Sequence, residues 1–145
     1  MSDSQAPARV IFACVHNAGR SQMAAALFNA AADPSRARAA SAGTAPGPHV
    51  HPVVIEAMRE LGIDLSRVQP ALLTDDLAGG AAMLVTMGCG EACPHVPGLV
   101  RDDWPLPDPK GRPIDEVRTI RDDISRRVQV LLDQRGWSAP REPGD

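Results

Sequence analysis

The chain contains no tyrosine, and its aromatic residues are limited to two phenylalanines and two tryptophans among 145 residues. A hydrophobic core therefore has to be built from aliphatic side chains and methionine. Hydrophobic residues still make up 43% of the chain and charged residues 23%, which are the proportions of a globular domain and exclude extensive disorder. This length is enough for one domain with its own core.

Long apolar runs, basic blocks and a large set of cysteines are also lacking. No run approaches the roughly 18 residues of a membrane helix, and the first residues lack the pattern of a signal peptide, so a cytoplasmic protein is expected. The net charge of −3 argues against nucleic acid as a partner. Three cysteines do not make a disulfide framework. Thiols are reduced by default in the cytoplasm. A role in metal binding, redox chemistry or catalysis is therefore considered for the three cysteines, Cys14, Cys89 and Cys93, beside the alternative that they have no special role.

Strand and helix patterns alternate along the chain. Because the strongest strand candidates are continuously apolar, the pattern predicts an α/β domain with a parallel sheet covered on both faces. The domain is expected over residues 9–137, between flexible tails at 1–8 and 138–145. Strands are predicted at 9–15, 36–41 and 82–87, a helical turn at 74–77, a mostly irregular segment at 88–113, and helices from Ser21 to about 32, from Pro52 to about 61 and over 114–134.

The segment C-V-H-N-A-G-R-S begins at Cys14, between a buried strand and a helix. Backbone N–H groups at such a junction form an anion cradle, and the Arg20 guanidinium can bind two oxygens of a tetrahedral oxyanion. The helix dipole and Arg20 favour a thiolate at Cys14. Gly19 permits close backbone approach, Asn17 tolerates left-handed geometry, and Ser21 is expected either to cap the helix or to donate to the thiolate. The alternative is a structural Cys14 and a surface Arg20.

Cys89 and Cys93 lie four residues apart in a glycine-rich loop that follows the predicted strand 82–87. Since ligands bind at the carboxyl ends of parallel strands, Cys14 and Cys89 meet at one end of the sheet if their strands are neighbours. Thiol–disulfide exchange needs a second thiol that is mobile and within reach. The alternatives are two unconnected thiols, or a zinc site that would take further ligands from His49, His51 or His95.

The segment D-D-W-P-L-P-D-P supplies three candidate acids, Asp102, Asp103 and Asp108. Protonation of a leaving group needs one carboxyl over the anion cradle. The simpler interpretation is that these acids are solvated turn residues. Trp104 is expected either to shield the site or to pack the loop.

These three segments carry a resemblance to a known family. FACVHNAGRSQMAAALF resembles the phosphate-binding loop of the low-molecular-weight protein tyrosine phosphatase superfamily. It is closer to the arsenate reductases on that fold, because Gln22-Met23-Ala24 stands where the phosphatases have proline. VTMGCGEACPHVPG resembles the redox loop of thioredoxin-coupled reductases, and W-x-L-P-D-P resembles the acid loop. The resemblance implies a three-layer α/β/α, flavodoxin-like fold with a four-stranded parallel sheet.

The resemblance also implies a mechanism. Arsenate, with phosphate and sulfate as competing oxyanions, would bind to the cradle, and the Cys14 thiolate would attack arsenic while Asp108 protonates the departing oxygen. Cys89 would then attack Cys14 and release arsenite, and Cys93 would take over the disulfide for reduction by thioredoxin. No cofactor or metal is required, and a monomer is expected. The cradle residues are His16, Asn17, Ala18, Gly19, Arg20 and Ser21.

Other interpretations stay open from the sequence alone. A phosphatase would use Cys14, Arg20 and Asp108 without the other cysteines, and a non-catalytic module would hold arsenite or an oxyanion on the thiols. A low-molecular-weight thiol could replace thioredoxin, and Asp103 could replace Asp108. Ser41 and Asp64 match positions that support the loop or a potassium ion in the family, but residues 23–26 lack the acid of potassium-binding members. His16 is expected either to contact substrate or to face outward, and His49 and His51 are expected to be solvated.

Overall fold

The computed structural model describes residues 7–87 and 99–139. Within these ranges, four strands form one parallel sheet in the order β2-β1-β3-β4. The predicted α/β class with a four-stranded parallel sheet is confirmed. The elements are β1 (Ala8–Cys14), α1 (Arg20–Ala31), β2 (Ala37–Gly43), α2 (Pro52–Arg59), α3 (Asp75–Gly79), β3 (Met83–Thr86), β4 (Val100–Asp103) and α4 (Ile114–Arg135).

The sheet is covered on both faces because alternate side chains of its central strands point in opposite directions. Val10 and Phe12 of β1 belong to the larger core, together with residues of α1, α2 and α4. Ile11 and Ala13 belong to a smaller core that includes Ala78 of α3. All four of these β1 side chains are fully buried, which explains why β1 reads as an uninterrupted apolar run.

The four aromatic residues form one chain of ring contacts within the larger core. Phe12 packs against Phe28 with ring centroids 5.9 Å apart and against Trp104 at 5.5 Å, and Phe28 packs against Trp137 at 6.2 Å. Trp104 is only 5% exposed. Of the two roles expected for Trp104, the geometry therefore supports packing of its loop rather than shielding of an open site.

Several predicted boundaries need correction. The segment 88–113, predicted to be mostly irregular, contains the strand β4, which the sequence pattern did not predict. All four residues of β4 are exposed and three of them are charged, so pairing with β3 rather than an apolar pattern defines this edge strand. The first strand begins at Ala8, and Ser138 pairs with Ala32, so described structure extends slightly beyond 9–137. The division into one domain and two tails stays a prediction. Within the described ranges, no helix is long and apolar enough to cross a membrane.

Candidate active site

The candidate site lies at the carboxyl ends of the central strands. Strand β1 ends at Cys14, which is paired with Gly43 at the end of β2, while Ala13 is paired with Thr86 at the end of β3. The strands that precede Cys14 and Cys89 are therefore neighbours, as the sequence argument required. Cys89, Cys93 and His95 themselves lie outside the described residues. Cys14 is buried at 3% exposure.

Residues 15–19, here called the cradle loop, connect Cys14 to the first residue of α1. Every backbone carbonyl from Cys14 to Ala18 accepts a hydrogen bond from outside this set. In a trans peptide the N–H group points away from the carbonyl, so outward-held carbonyls turn the following N–H groups towards the space that the loop encloses. This is the arrangement of an anion cradle. The donors are Thr44 N for Cys14 (3.2 Å), Ala45 N for Val15 (2.8 Å), Gly47 N for His16 (2.9 Å), the Gln22 side chain for Asn17 (3.1 Å) and His51 N for Ala18 (2.9 Å).

The turn of the cradle loop depends on Asn17. Its φ of 51° is the only positive value of a non-glycine residue in the described part of the chain, so Asn17 adopts the left-handed conformation that its side chain was expected to tolerate. The fully buried Asn17 side chain accepts the Ala71 backbone N–H at 2.8 Å and donates to the Ser21 hydroxyl at 2.8 Å. The role of Ala71 was not predicted from the sequence, because it contributes only its backbone N–H, which every residue except proline has.

Gly43 supports the cradle loop from β2 and was also missed as a site residue. A Cβ atom at this position would lie 2.5 Å from the Val15 carbonyl oxygen and 2.9 Å from Asn17 N, and both contacts are with backbone. Any larger residue would therefore displace the loop. A glycine that ends a strand is the signal that could have indicated such a close approach.

The Cys14 sulfur is in contact with the Ser21 hydroxyl, with Sγ and Oγ 2.9 Å apart. Because Ser21 Oγ accepts a hydrogen bond from Asn17 Nδ2, its own proton is free to point at the sulfur. Helix α1 begins at Arg20, its N-cap is Gly19, and no side chain among the described residues caps it. The expectation that Ser21 caps the helix is therefore wrong, and donation to the thiolate is the alternative that the geometry supports.

Arg20 and Gly19 bring the cradle loop into contact with residues 104–109, here called the acid loop. Arg20 Nη1 donates to the Leu106 carbonyl at 2.9 Å, and Arg20 Nη2 lies 4.0 Å from Asp108 Oδ2. A Cβ atom on Gly19 would lie 2.7 Å from Pro109 Cγ. The Arg20 side chain is only 11% exposed, whereas that of Asp108 is 45% exposed. The absence of a side chain at Gly19 thus lets the two loops touch.

The other two acids of this segment have partners within the fold. Asp103 Oδ1 accepts the Thr86 hydroxyl at 2.6 Å, and Asp102 Oδ2 accepts the Trp104 indole N–H at 3.0 Å. The first bond joins the end of β4 to β3, and the second holds the Trp104 ring beside the end of β4. Of the two acids considered from the sequence, Asp108 is the one beside Arg20.

Histidines line the rim beside the cradle loop. A cavity of about 210 Å³ is lined by His16, His49, His51 and Lys110, among others. His16 and His49 are exposed, whereas His51 is half-buried, so the expectation of a solvated side chain fits His49 better than His51. Burial lowers the pKa of His51, and the nearby Asp108 carboxylate opposes that shift.

The remaining candidates from the sequence are a metal site and the residues Ser41 and Asp64. Within residues 7–87 and 99–139, no group of three or more potential ligands is placed to hold a metal ion. The zinc alternative that uses Cys89, Cys93 and His95 lies outside those ranges. Hydrogen bonds from Ser66 lower the pKa of the exposed Asp64. Ser41 lies within β2, opposite Phe12.

Comparison with known proteins gives consistent matches over most of the chain. The model of the low molecular weight phosphotyrosine protein phosphatase family matches residues 9–136. A putative arsenate reductase of Halobacterium salinarum is 39% identical over 131 residues, covering 85% of this chain and 89% of that protein. An arsenate reductase of Staphylococcus aureus is 33% identical over 126 residues, covering 83% and 92%.

Solved structures agree with the sequence matches. A thioredoxin-dependent arsenate reductase of Corynebacterium glutamicum superimposes with a TM-score of 0.78 at 37% identity. The match covers 90% of this chain but 63% of that chain, so the present chain spans less than two thirds of that longer protein.

Proposed function

Because the chain belongs to the low molecular weight phosphotyrosine protein phosphatase family, we propose that it is an arsenate reductase that uses this family's oxyanion site. The observation that carries the proposal is the buried Cys14 sulfur, which lies 2.9 Å from Ser21 Oγ at the base of a loop whose carbonyls from Cys14 to Ala18 are bonded outward. Relatives and structural neighbours named as arsenate reductases support the choice of substrate.

In the first step the cradle loop binds arsenate and Cys14 attacks it. The N–H groups of the loop and the guanidinium of Arg20 neutralise the charge on the arsenate oxygens. The Ser21 hydroxyl stabilises the thiolate until a bond forms between sulfur and arsenic. One arsenic–oxygen bond breaks, and that oxygen leaves as water after it takes a proton from Asp108. Phosphate and sulfate have the same tetrahedral shape and compete for the cradle.

In the second step the remaining cysteines supply the electrons. Cys89 attacks the Cys14 sulfur, a Cys14–Cys89 disulfide forms, and the sulfur–arsenic electron pair stays on arsenic, which leaves as arsenite. Cys93 then attacks Cys89 and releases Cys14 as a thiol. Thioredoxin reduces the resulting Cys89–Cys93 disulfide. The relay rests on the sequence of residues 88–98, and because the thiols provide both electrons the scheme requires no flavin or metal.

The exposed His16 side chain suggests that this residue serves the cradle through its backbone. We also propose that the protein acts as a monomer in the cytoplasm, where thioredoxin is kept reduced. A low-molecular-weight thiol remains the alternative donor, and two resolving cysteines favour thioredoxin because an internal disulfide is its usual substrate.

The direct test is arsenate-dependent oxidation of NADPH in the presence of thioredoxin and thioredoxin reductase. We expect turnover by the unmodified protein and none by Cys14→Ser. The Cys89→Ser variant should react with arsenate once and then show no further turnover. In the unmodified protein, mass spectrometry after a single turnover without reductant should find a Cys89–Cys93 disulfide. Full turnover by Cys89→Ser would exclude the three-thiol relay.

The second candidate function is phosphomonoester hydrolysis. It is favoured by the contact between Arg20 and the acid loop, because Cys14, Arg20 and Asp108 alone suffice for a phosphatase. Hydrolysis of an aryl phosphate at a higher rate than arsenate reduction would reverse the order of the two proposals. Stoichiometric binding of arsenite without turnover would instead identify a binding module.

A further inference from the structure

Gln22 is a buried polar residue in the first turn of α1, surrounded in sequence by small and apolar side chains. It is only 4% exposed. Its side-chain Nε2 donates two hydrogen bonds to the same residue, one to the Asn17 backbone carbonyl at 3.1 Å and one to Asn17 Oδ1 at 3.0 Å. A buried amide is expected to have partners, and here both of its protons are committed to the residue that makes the left-handed turn.

These bonds fix the direction of a chain of donors. Asn17 Oδ1 accepts from both Gln22 and the Ala71 backbone, so the Asn17 amide must present its nitrogen to Ser21. Ser21 Oγ accepts that bond and turns its proton towards the Cys14 sulfur, 2.9 Å away. If the Asn17 amide were reversed, its NH2 group would face two donors. Its oxygen would then compete with the sulfur for the Ser21 proton.

We propose that Gln22 is a positioning residue for the reacting thiol, because its amide holds Asn17 in the orientation that makes Ser21 donate to Cys14. The inference rests on the proposed function only in taking Cys14 as the nucleophile. Gln22 also holds the Asn17 carbonyl outward, and this turns the Ala18 N–H in the opposite direction. A single side chain therefore supports both the thiolate and one peptide of the cradle.

The test measures Cys14 alkylation by iodoacetamide in a Cys89→Ser/Cys93→Ser background, where Cys14 is the single cysteine. Gln22→Met keeps the length of the side chain and removes the donor. We expect the ratio of the alkylation rates at pH 7 and pH 10 to fall about fivefold, the effect of roughly one hydrogen bond between neutral groups. Ser21→Ala should lower the ratio at least as much.

A double variant decides whether Gln22 acts through Ser21. If it does, adding Gln22→Met to Ser21→Ala causes no further fall, because the pathway to the sulfur is already broken. Met23→Leu is the matched control, since the neighbouring buried residue changes shape but not polarity and should leave the ratio unchanged. Multiplicative effects, or an effect of Gln22→Met no larger than that of Met23→Leu, would overturn the proposal.

A second measurement needs no change at Gln22 and covers the case in which Gln22→Met fails to fold. In the same background, the side-chain amide resonances of Asn17 and Gln22 should move over the pH range in which alkylation of Cys14 accelerates. Constant resonances through that range would contradict the donor chain. Neither measurement uses arsenate, so a protein that fails to reduce arsenate can still pass this test, and the two failures are distinguishable.

Discussion

The cradle loop and the acid loop touch each other, yet they are held in different ways. Each carbonyl around the cradle loop is bonded, and the side chains of Asn17 in the loop and of Ser21 in the first turn of α1 are fully buried. The acid loop is rich in proline, and its Asp108 is nearly half exposed. It is tied to the cradle through Arg20, which donates to the Leu106 carbonyl and lies 4.0 Å from Asp108 Oδ2. The geometry around the nucleophile is therefore fixed by buried hydrogen bonds, whereas Asp108 is held by hydrogen bonds at the surface, from Lys110 N to its Oδ1 at 3.0 Å and from Arg112 Nε to its carbonyl at 2.7 Å.

The largest effect is expected from the acid itself. Asp108→Asn keeps the shape of the loop and removes the proton donor, so kcat for arsenate reduction should fall about 100-fold to 10,000-fold. Inhibition by phosphate should change little, because the cradle is untouched. Asp103→Asn is the matched control, since Asp103 holds Thr86 and should affect thermal stability more than kcat. The reverse outcome would move the acid role to Asp103.

The next effect tests whether the cradle loop is as tightly fixed as its contacts indicate. Gly43→Ala places a Cβ atom 2.5 Å from the Val15 carbonyl, so the loop must shift and kcat/KM should fall about 100-fold. Phosphate affinity should fall as well. Gly47→Ala is the control, because its nearest neighbour would be 3.8 Å away, an ordinary contact. Equal activities of the two variants would show that the loop yields easily.

A smaller effect is expected where the two loops meet. Gly19→Ala places a Cβ atom 2.7 Å from Pro109 Cγ, which is a side-chain rather than a backbone atom, so kcat should fall about tenfold. Adding Pro109→Ala removes that contact and should restore most of the loss. If the double variant is no better than Gly19→Ala, the substitution acts on the cradle loop rather than on the acid loop.

The smallest effect is expected from the contact between α2 and α4, which lies outside the cradle loop and the acid loop. Glu60 follows α2 and accepts hydrogen bonds from Arg118 and Arg121 of α4, so it joins the two helices. These bonds lower the pKa of Glu60 from 4.5 to about 2. A lowered pKa in the folded state means that the stabilisation is present above pH 4.5 and is lost as the pH falls towards about 2. The difference in Tm between the unmodified protein and Glu60→Gln should therefore be small at pH 7 and disappear in acid.

Glu60→Gln should also leave the alkylation of Cys14 unchanged. A change in alkylation would show that the packing of α2 against α4 reaches the cradle, for example through His51, which precedes α2 and donates to the Ala18 carbonyl.

The helices and strands with a clear pattern of apolar residues were predicted from the sequence. The buried strand β1 and the long helix α4 appear within one or two residues of their predicted bounds. Strand β4 was missed because its four residues are exposed and it exists only through its pairing with β3. Among site residues, Cys14, Asn17, Gly19 and Arg20 stand out because their chemistry is readable from type and spacing.

The order of the layers, the parallel sheet and the position of the nucleophile at a strand end could be predicted from the amino-acid sequence, since these follow from local pattern and connectivity. Contacts in three dimensions were needed to show that Ser21 lies against the sulfur instead of capping the helix, and that Asp108 rather than Asp103 faces Arg20. They also showed that Gly43 and Gln22 hold the loop in place. Each of these outcomes depends on contacts in which hydrogen-bond partners compete, and such competition is settled by distances in space and not by residue type.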